Sequence, residues 1–137
     1  DRMVVVARVE APGDLGFSVR VGYQRHLVKS TSGIILYGYQ TPKRRDSWRQ
    51  SLKAGVTADE WRAFEAKVEE AQGQGYVTNK STYTEGITDI ACPVRNETSV
   101  IAALTMPFIK LSEGVGIDEA VTRLKATAIV LSRALGG

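Results

Sequence analysis

Cysteine and histidine are nearly absent from this chain: Cys92 and His26 are the only ones among 137 residues. A single thiol excludes an internal disulfide and fits a reducing compartment. One Cys and one His cannot assemble a Cys/His metal site. Long apolar runs are missing too, and none approaches the roughly 20 residues of a membrane span. No signal peptide is expected, since the chain opens Asp1-Arg2-Met3 and goes straight into a strand-like run. That opening lacks an initiator Met and a lead-in element, so a piece of a longer protein is expected. No phosphate loop, internal repeat or low-complexity tract occurs. Charge is nearly balanced, and a net +3 is a weak argument for nucleic acid.

What remains is an ordinary globular composition, 43% hydrophobic and 24% charged, long enough for one domain with a real core. The stretch Gly86–Met106 organises it. Ile87–Val94 and Val100–Met106 read as two strands joined by the polar loop Arg95-Asn96-Glu97-Thr98-Ser99. Strand side chains alternate faces. Ile90, Cys92 and Val94 therefore share one face of the first arm, and Ile87, Asp89, Ala91 and Pro93 the other. On the second arm Val100, Ala102, Leu104 and Met106 oppose Ile101, Ala103 and Thr105. All faces are mostly apolar, so both sides of the hairpin are expected to be covered. Asp89 and Thr105 break the pattern. A carboxylate and a hydroxyl in a covered hairpin need partners, which makes them the first candidates for a site.

In chain order, Met3–Val9 reads as a central strand and Phe17–Val21 as its antiparallel partner across a Pro12-Gly13 turn. Gly22–Lys29 is a connector. Hydroxyl residues at 30–32 precede an apolar run, predicting a short helix over Ser32–Tyr39 stopped by Pro42. Its N-terminus suits an anion or polar oxygen, and a capped helix that binds nothing accounts for the same residues. Lys43, Arg44, Arg45, Arg49 and Lys53 read as a solvated basic loop, or as a contact for nucleic acid or an acidic partner. Thr57 and Glu60 form a capping box ahead of Trp61, Phe64, Val68 and Ala71 at helical spacing, with Gly73 and Gly75 as the stop. Gly75–Lys80 is strand-like and leads toward the hairpin, with Asn79 and Tyr83 nearby. Pro107–Lys110 runs into a loop. Ile117, Val121, Leu124, Ala128, Leu131 and Leu135 make one stripe along a final helix ended by Gly136-Gly137. This order implies an α+β fold around an antiparallel sheet.

Catalytic patterns are weak. His26 has no nucleophile elbow near it, Cys92 sits mid-strand on an apolar face, and Asp89 alone is a thin signal for a general base. An enzyme is not expected.

Two stretches carry a family resemblance. Ser18–Tyr39, with Gly22, Leu27, Thr31, Ser32 and Gly33, resembles the effector-domain segment of IclR-type transcription regulators. Ile90-Ala91-Cys92-Pro93-Val94, the polar turn and Ala102-Ala103-Leu104 resemble that family's second signature, and the helix ending Leu135-Gly136 is similar as well. The chain departs from the pattern at Asp89 and Pro107, where relatives can carry a thiol and a serine, and at His26, often a proline.

The resemblance implies a GAF-like or profilin-like curved antiparallel sheet with helices on its faces. It implies one effector-binding (sensor) domain over residues 1–137, truncated at its N-terminus, with the DNA-binding winged helix-turn-helix domain outside this chain. It implies a cytoplasmic ligand sensor without a cofactor, its partners a small-molecule effector, itself as dimer or tetramer, and DNA only through the missing domain. Carried over by motif, the ligand positions are Thr31, Ser32, Gly33, Asn79, Asp89 and Thr105, with Phe17 lining the pocket. A ligand-independent oligomerisation module with a vestigial pocket, and a small enzyme using Asp89, remain alternatives.

Overall fold

The hairpin forms at nearly the expected bounds. A computed structural model describes residues 1–12, 19–81 and 84–137. In it β1 (Arg2–Val4) and β2 (Gln24–His26) pair antiparallel, followed by a 3-10 turn over Leu27–Lys29. Helices α1 (Thr31–Gly38), α2 (Pro42–Ala54) and α3 (Ala58–Gln74) come next. Strands β3 (Val77–Lys80), β4 (Ile87–Arg95) and β5 (Val100–Ile109) make an antiparallel sheet in the order β3-β4-β5, and α4 (Ile117–Ala134) closes the chain. The architecture is α+β, with helices on both faces of the three-stranded sheet.

The alternation along β4 sorts the core into two halves. Ala91 and Val77 face α1 and α3, where Ile34, Ile35, Trp61, Phe64, Val68 and Ala71 are buried. Tyr37, Trp61 and Phe64 meet there at ring-centroid distances of 5.4–6.0 Å, separations at which tilted aromatic pairs attract. Ile90, Cys92 and Val94 face α4 and meet Ala120, Val121, Leu124 and Ala128. The turn between the arms is shaped by Asn96, whose Oδ1 accepts the Thr98 and Ser99 backbone N–H groups at 3.0 and 2.9 Å. At the other end, Ser132 Oγ of α4 accepts the Arg95 N–H at 2.9 Å.

Helix boundaries follow side-chain chemistry. Thr57 N–H donates to Glu60 Oε2 at 2.8 Å and Glu60 N–H donates to Thr57 Oγ1 at 3.1 Å, so the capping box of α3 is complete. Gly75, at φ 83°, takes the left-handed conformation that ends α3; Gly73 lies inside the helix instead of helping to stop it.

Several expectations change. The strand over Met3–Val9 is confined to Arg2–Val4, and Val6 and Val9 are 78% and 99% exposed. Its partner is Gln24–His26, inside the stretch read as a connector. Of the expected strand Phe17–Val21, residues 17 and 18 lie outside the described residues, and Val19 and Val21 are exposed and outside any strand. The basic stretch after Pro42 is a helix, not a loop. Pro42 occupies the first turn, where a missing N–H costs nothing, and Thr41 Oγ1 accepts the Arg44 N–H at 3.3 Å. Pro107 belongs to β5, which runs on to Ile109. A register shift between Val94 and Arg95 leaves Ile101 unpaired and turns Val100 onto the α1 face, away from Ala102, Leu104 and Met106. On α4 the stripe is buried only at Val121, Leu124 and Ala128; Ile117, Leu131 and Leu135 are exposed.

Candidate functional site at the junction of helix α1 and the sheet

The start of α1 is built around a close approach. Ser30 is its N-cap: Oγ accepts the Gly33 N–H at 2.9 Å and donates to the Leu27 carbonyl at 3.2 Å. A Cβ at Gly33 would stand 1.8 Å from that carbonyl oxygen. Only glycine lets the 3-10 turn fold against the helix here. The Gly33 N–H is thus occupied by the cap, and the residue supplies room, not a free donor.

Thr31 and Ser32, the first two residues of α1, point at the sheet. Register places Asn79, Asp89 and Pro107 side by side across β3, β4 and β5, and Val77, Ala91 and Thr105 in the next row of the same face. Thr31 Oγ1 donates to Asp89 Oδ2 at 3.3 Å, across 58 residues of chain. Ser32 Oγ and Thr105 Oγ1 share a hydrogen bond of 2.8 Å. Thr31 is only 6% exposed, while Ser32, Asp89, Thr105 and Asn79 are half-buried. Burial pushes the Asp89 carboxyl above the ordinary carboxylate range; the Thr31 hydroxyl and the Arg25 charge pull it part of the way back.

Of the predicted ligand positions, the structure joins Thr31 to Asp89 and Ser32 to Thr105, sets Gly33 behind them, and places Asn79 beside Asp89. Phe17 lies outside the described residues. Ser30, one of the hydroxyl residues read as N-cap candidates, builds the approach; sequence reasoning missed Arg25, whose charge reaches Asp89. Nothing local in the sequence pointed to Arg25. Two clefts lie elsewhere. One of about 290 Å³ is lined by Tyr37, Arg45, Arg49 and Glu65; the other, about 380 Å³, is lined by Met106, Phe108, Leu111, Val115 and Leu124. Neither is lined by the six described ligand positions.

Neither His26 nor Cys92 takes part in these contacts. His26 Nδ1 accepts the Val28 N–H at 3.3 Å, and the ring edge at Nε2 faces Gly55, so it is not positioned as a base for Thr31 or Ser32. Cys92 is buried on the opposite face, its thiol pushed up to about 11 by burial. Among the described residues no group of three or more His, Cys, Asp or Glu comes together to hold a metal. Nor is any helix among them long and apolar enough to cross a membrane.

The family model for the C-terminal region of IclR bacterial transcriptional regulators matches residues 1–133. The chain belongs to the IclR family. Solved structures agree. An IclR transcriptional regulator from Alicyclobacillus acidocaldarius is similar at 25% identity and TM-score 0.79, over 99% of this chain and 57% of that one. An IclR homologue from Microbacterium hydrocarbonoxydans, complexed with 4-hydroxybenzoate, is similar at 25% identity and TM-score 0.68, over 88% of this chain and 50% of that one. The C-terminal domain of E. coli KdgR shares the fold at 23% identity and TM-score 0.67, over 85% of this chain and 75% of that one. No curated protein sequence matches. This IclR chain thus spans a little over half the length of the first of these relatives. The family match contains both stretches that carried the resemblance, Ser18–Tyr39 and Gly86–Met106.

Proposed function

We propose that this IclR-family chain is the effector-sensing domain of a transcription regulator. Its ligand site is the junction of α1 with the β3-β4-β5 face, formed by Thr31, Ser32, Gly33, Asn79, Asp89 and Thr105. The observation that carries the reading is the pair of polar ties, Thr31 to Asp89 and Ser32 to Thr105, in the contact between a helix and a sheet whose other residues are mostly apolar. Such groups are costly to bury for packing alone, and here all four lie where an incoming polar ligand meets the helix start. The complex of a relative with 4-hydroxybenzoate supports small-molecule binding within the family.

In operation, a ligand replaces these ties and shifts α1 relative to the sheet. It then favours one arrangement of sensor domains in a dimer or tetramer over another, and so the spacing of DNA-binding domains carried elsewhere in a cytoplasmic protein. It acts only to the extent that it binds the two arrangements with different affinity. The test is a thermal-shift screen of organic acids, phenols, amines, hydrazides and sugars, with Asp89→Ala beside the wild type. A ligand at a hundred times its dissociation constant adds about 2.7 kcal/mol of stability. A stabilising compound that loses its effect in Asp89→Ala is the expected result.

The second reading is an oligomerisation module with a closed site. It is favoured by the direct bonding of Ser32 to Thr105, which fills the junction with the protein's own groups. Self-association without saturable ligand binding would select it.

A further inference from the structure

We infer that the group the effector presents to Asp89 is an uncharged hydrogen-bond donor, a hydroxyl or an amide N–H. This deepens the effector reading above and rests on it. The Thr31 hydroxyl meets only Oδ2 of Asp89, at 3.3 Å. An ionised carboxylate has about four acceptor positions and no donor, so this bond leaves acceptor capacity in place. The neighbours on the same sheet face do not fill it with side-chain donors: Pro107 is opposite on β5, and Ala91 and Pro93 follow along β4. Asn79, opposite on β3, carries both a donor and an acceptor and adapts to either.

Ser32 and Thr105 hydroxyls are equally adaptable, since each can donate or accept. The carboxylate is therefore the one group of the junction with a fixed demand. A negatively charged ligand end placed against it is repelled in a partly buried site, where screening is weak. A cationic end meets a different obstacle, because it must give up its own hydration to enter a half-buried site. A neutral donor satisfies Asp89 and adds no charge to a half-buried site.

The Asp89→Asn change isolates this property. The amide keeps an oxygen for Thr31 and puts an NH₂ donor in place of the other carboxylate oxygen. The site then asks for an acceptor, and the order of preference inverts. The probes are two matched triplets: benzyl alcohol, benzylammonium and benzoate; and propane-1,2-diol, 1-amino-2-propanol and lactate. Isothermal titration of each into wild type and Asp89→Asn, both checked for folding by circular dichroism, gives the result. An alcohol binding wild type about tenfold more tightly than its carboxylate analogue, the worth of one hydrogen bond to a charged group, and no more weakly than its ammonium analogue, supports the inference. Inversion of the alcohol and carboxylate order in Asp89→Asn supports it further. A carboxylate that binds wild type as tightly as the alcohol overturns it, and so does an ammonium that binds more tightly; either leaves the site reading intact. Absence of saturable binding by all six removes the inference and the site reading together. If Asp89→Asn does not fold, the order within each wild-type triplet decides alone.

Discussion

Gly33→Ala tests the construction of the junction. The new Cβ would lie 1.8 Å from the Leu27 carbonyl oxygen, 2.6 Å from its carbon and 2.7 Å from Ser30 Oγ. Two of these three atoms are backbone, and a carbon and an oxygen need well over 3 Å between them. The 3-10 turn must therefore retreat by more than 1 Å, and its hydrogen bond from Ser30 Oγ at 3.2 Å goes with it. Overpacking of this kind costs about 1–3 kcal/mol, and more against rigid backbone. Loss of the Ser30 cap adds about 1 kcal/mol. Against this, alanine is the better helix former by about 1 kcal/mol. The net expectation is a destabilisation of about 1–3 kcal/mol. Gly73→Ala is the control: it lies inside α3 with nothing within 4 Å of its added Cβ, and should stabilise by about 0.5–1 kcal/mol. Urea unfolding at constant m-value measures both. If Gly33→Ala were as stable as wild type, the close approach of turn and helix would not exist and the argument would fail.

Thr57→Ala should lower stability by about 1 kcal/mol through loss of the α3 N-cap, with Thr57→Ser restoring most of it, in the same urea assay. His26 is held below its ordinary pKa of 6.5, first by burial and then by the charges of Lys29 and Arg2. The unfolded state therefore binds the proton more readily, and stability present above the unfolded pKa declines as pH falls through it toward the folded value. Protonation also removes the acceptor for the Val28 N–H. Unfolding free energies between about pH 7.5 and 5.5 should fall in wild type and stay level in His26→Asn; equal slopes would refute the assignment. Cys92 should resist iodoacetamide at pH 8 until denaturant opens the sheet, because burial raises its thiol to about 11; rapid labelling of the folded chain would contradict its placement.

The parts legible in the sequence were those with a repeating apolar pattern. Alternation over Ile87–Val94 located β4, its two faces and the contrast between Ile90 and Asp89. The Thr57 capping box and the spacing of Trp61, Phe64, Val68 and Ala71 located α3. α2 was lost because among its residues only Leu52 is buried, so no periodic stripe exists; Thr41-Pro42 was the usable signal. The valines near the N-terminus suggested a long strand, yet Val6 and Val9 bury nothing, and propensity without packing does not make a ladder. The shift at Val94/Arg95 is a backbone irregularity with no compositional mark, so the face of Val100 was misassigned. At the site, Asp89 and Thr105 stood out as polar breaks in apolar strands. Their partners on α1 lie 58 and 73 residues away, a distance that local pattern does not bridge and that the family resemblance supplied.

The position of β4 has a kinetic consequence. Its residues from 88 to 91 pair with β3 on one side and β5 on the other, and Ile90, Ala91 and Cys92 are shielded by helices above and below. No small opening exposes those amides to solvent, so their hydrogen exchange should proceed only through global unfolding and report the full stability of the chain.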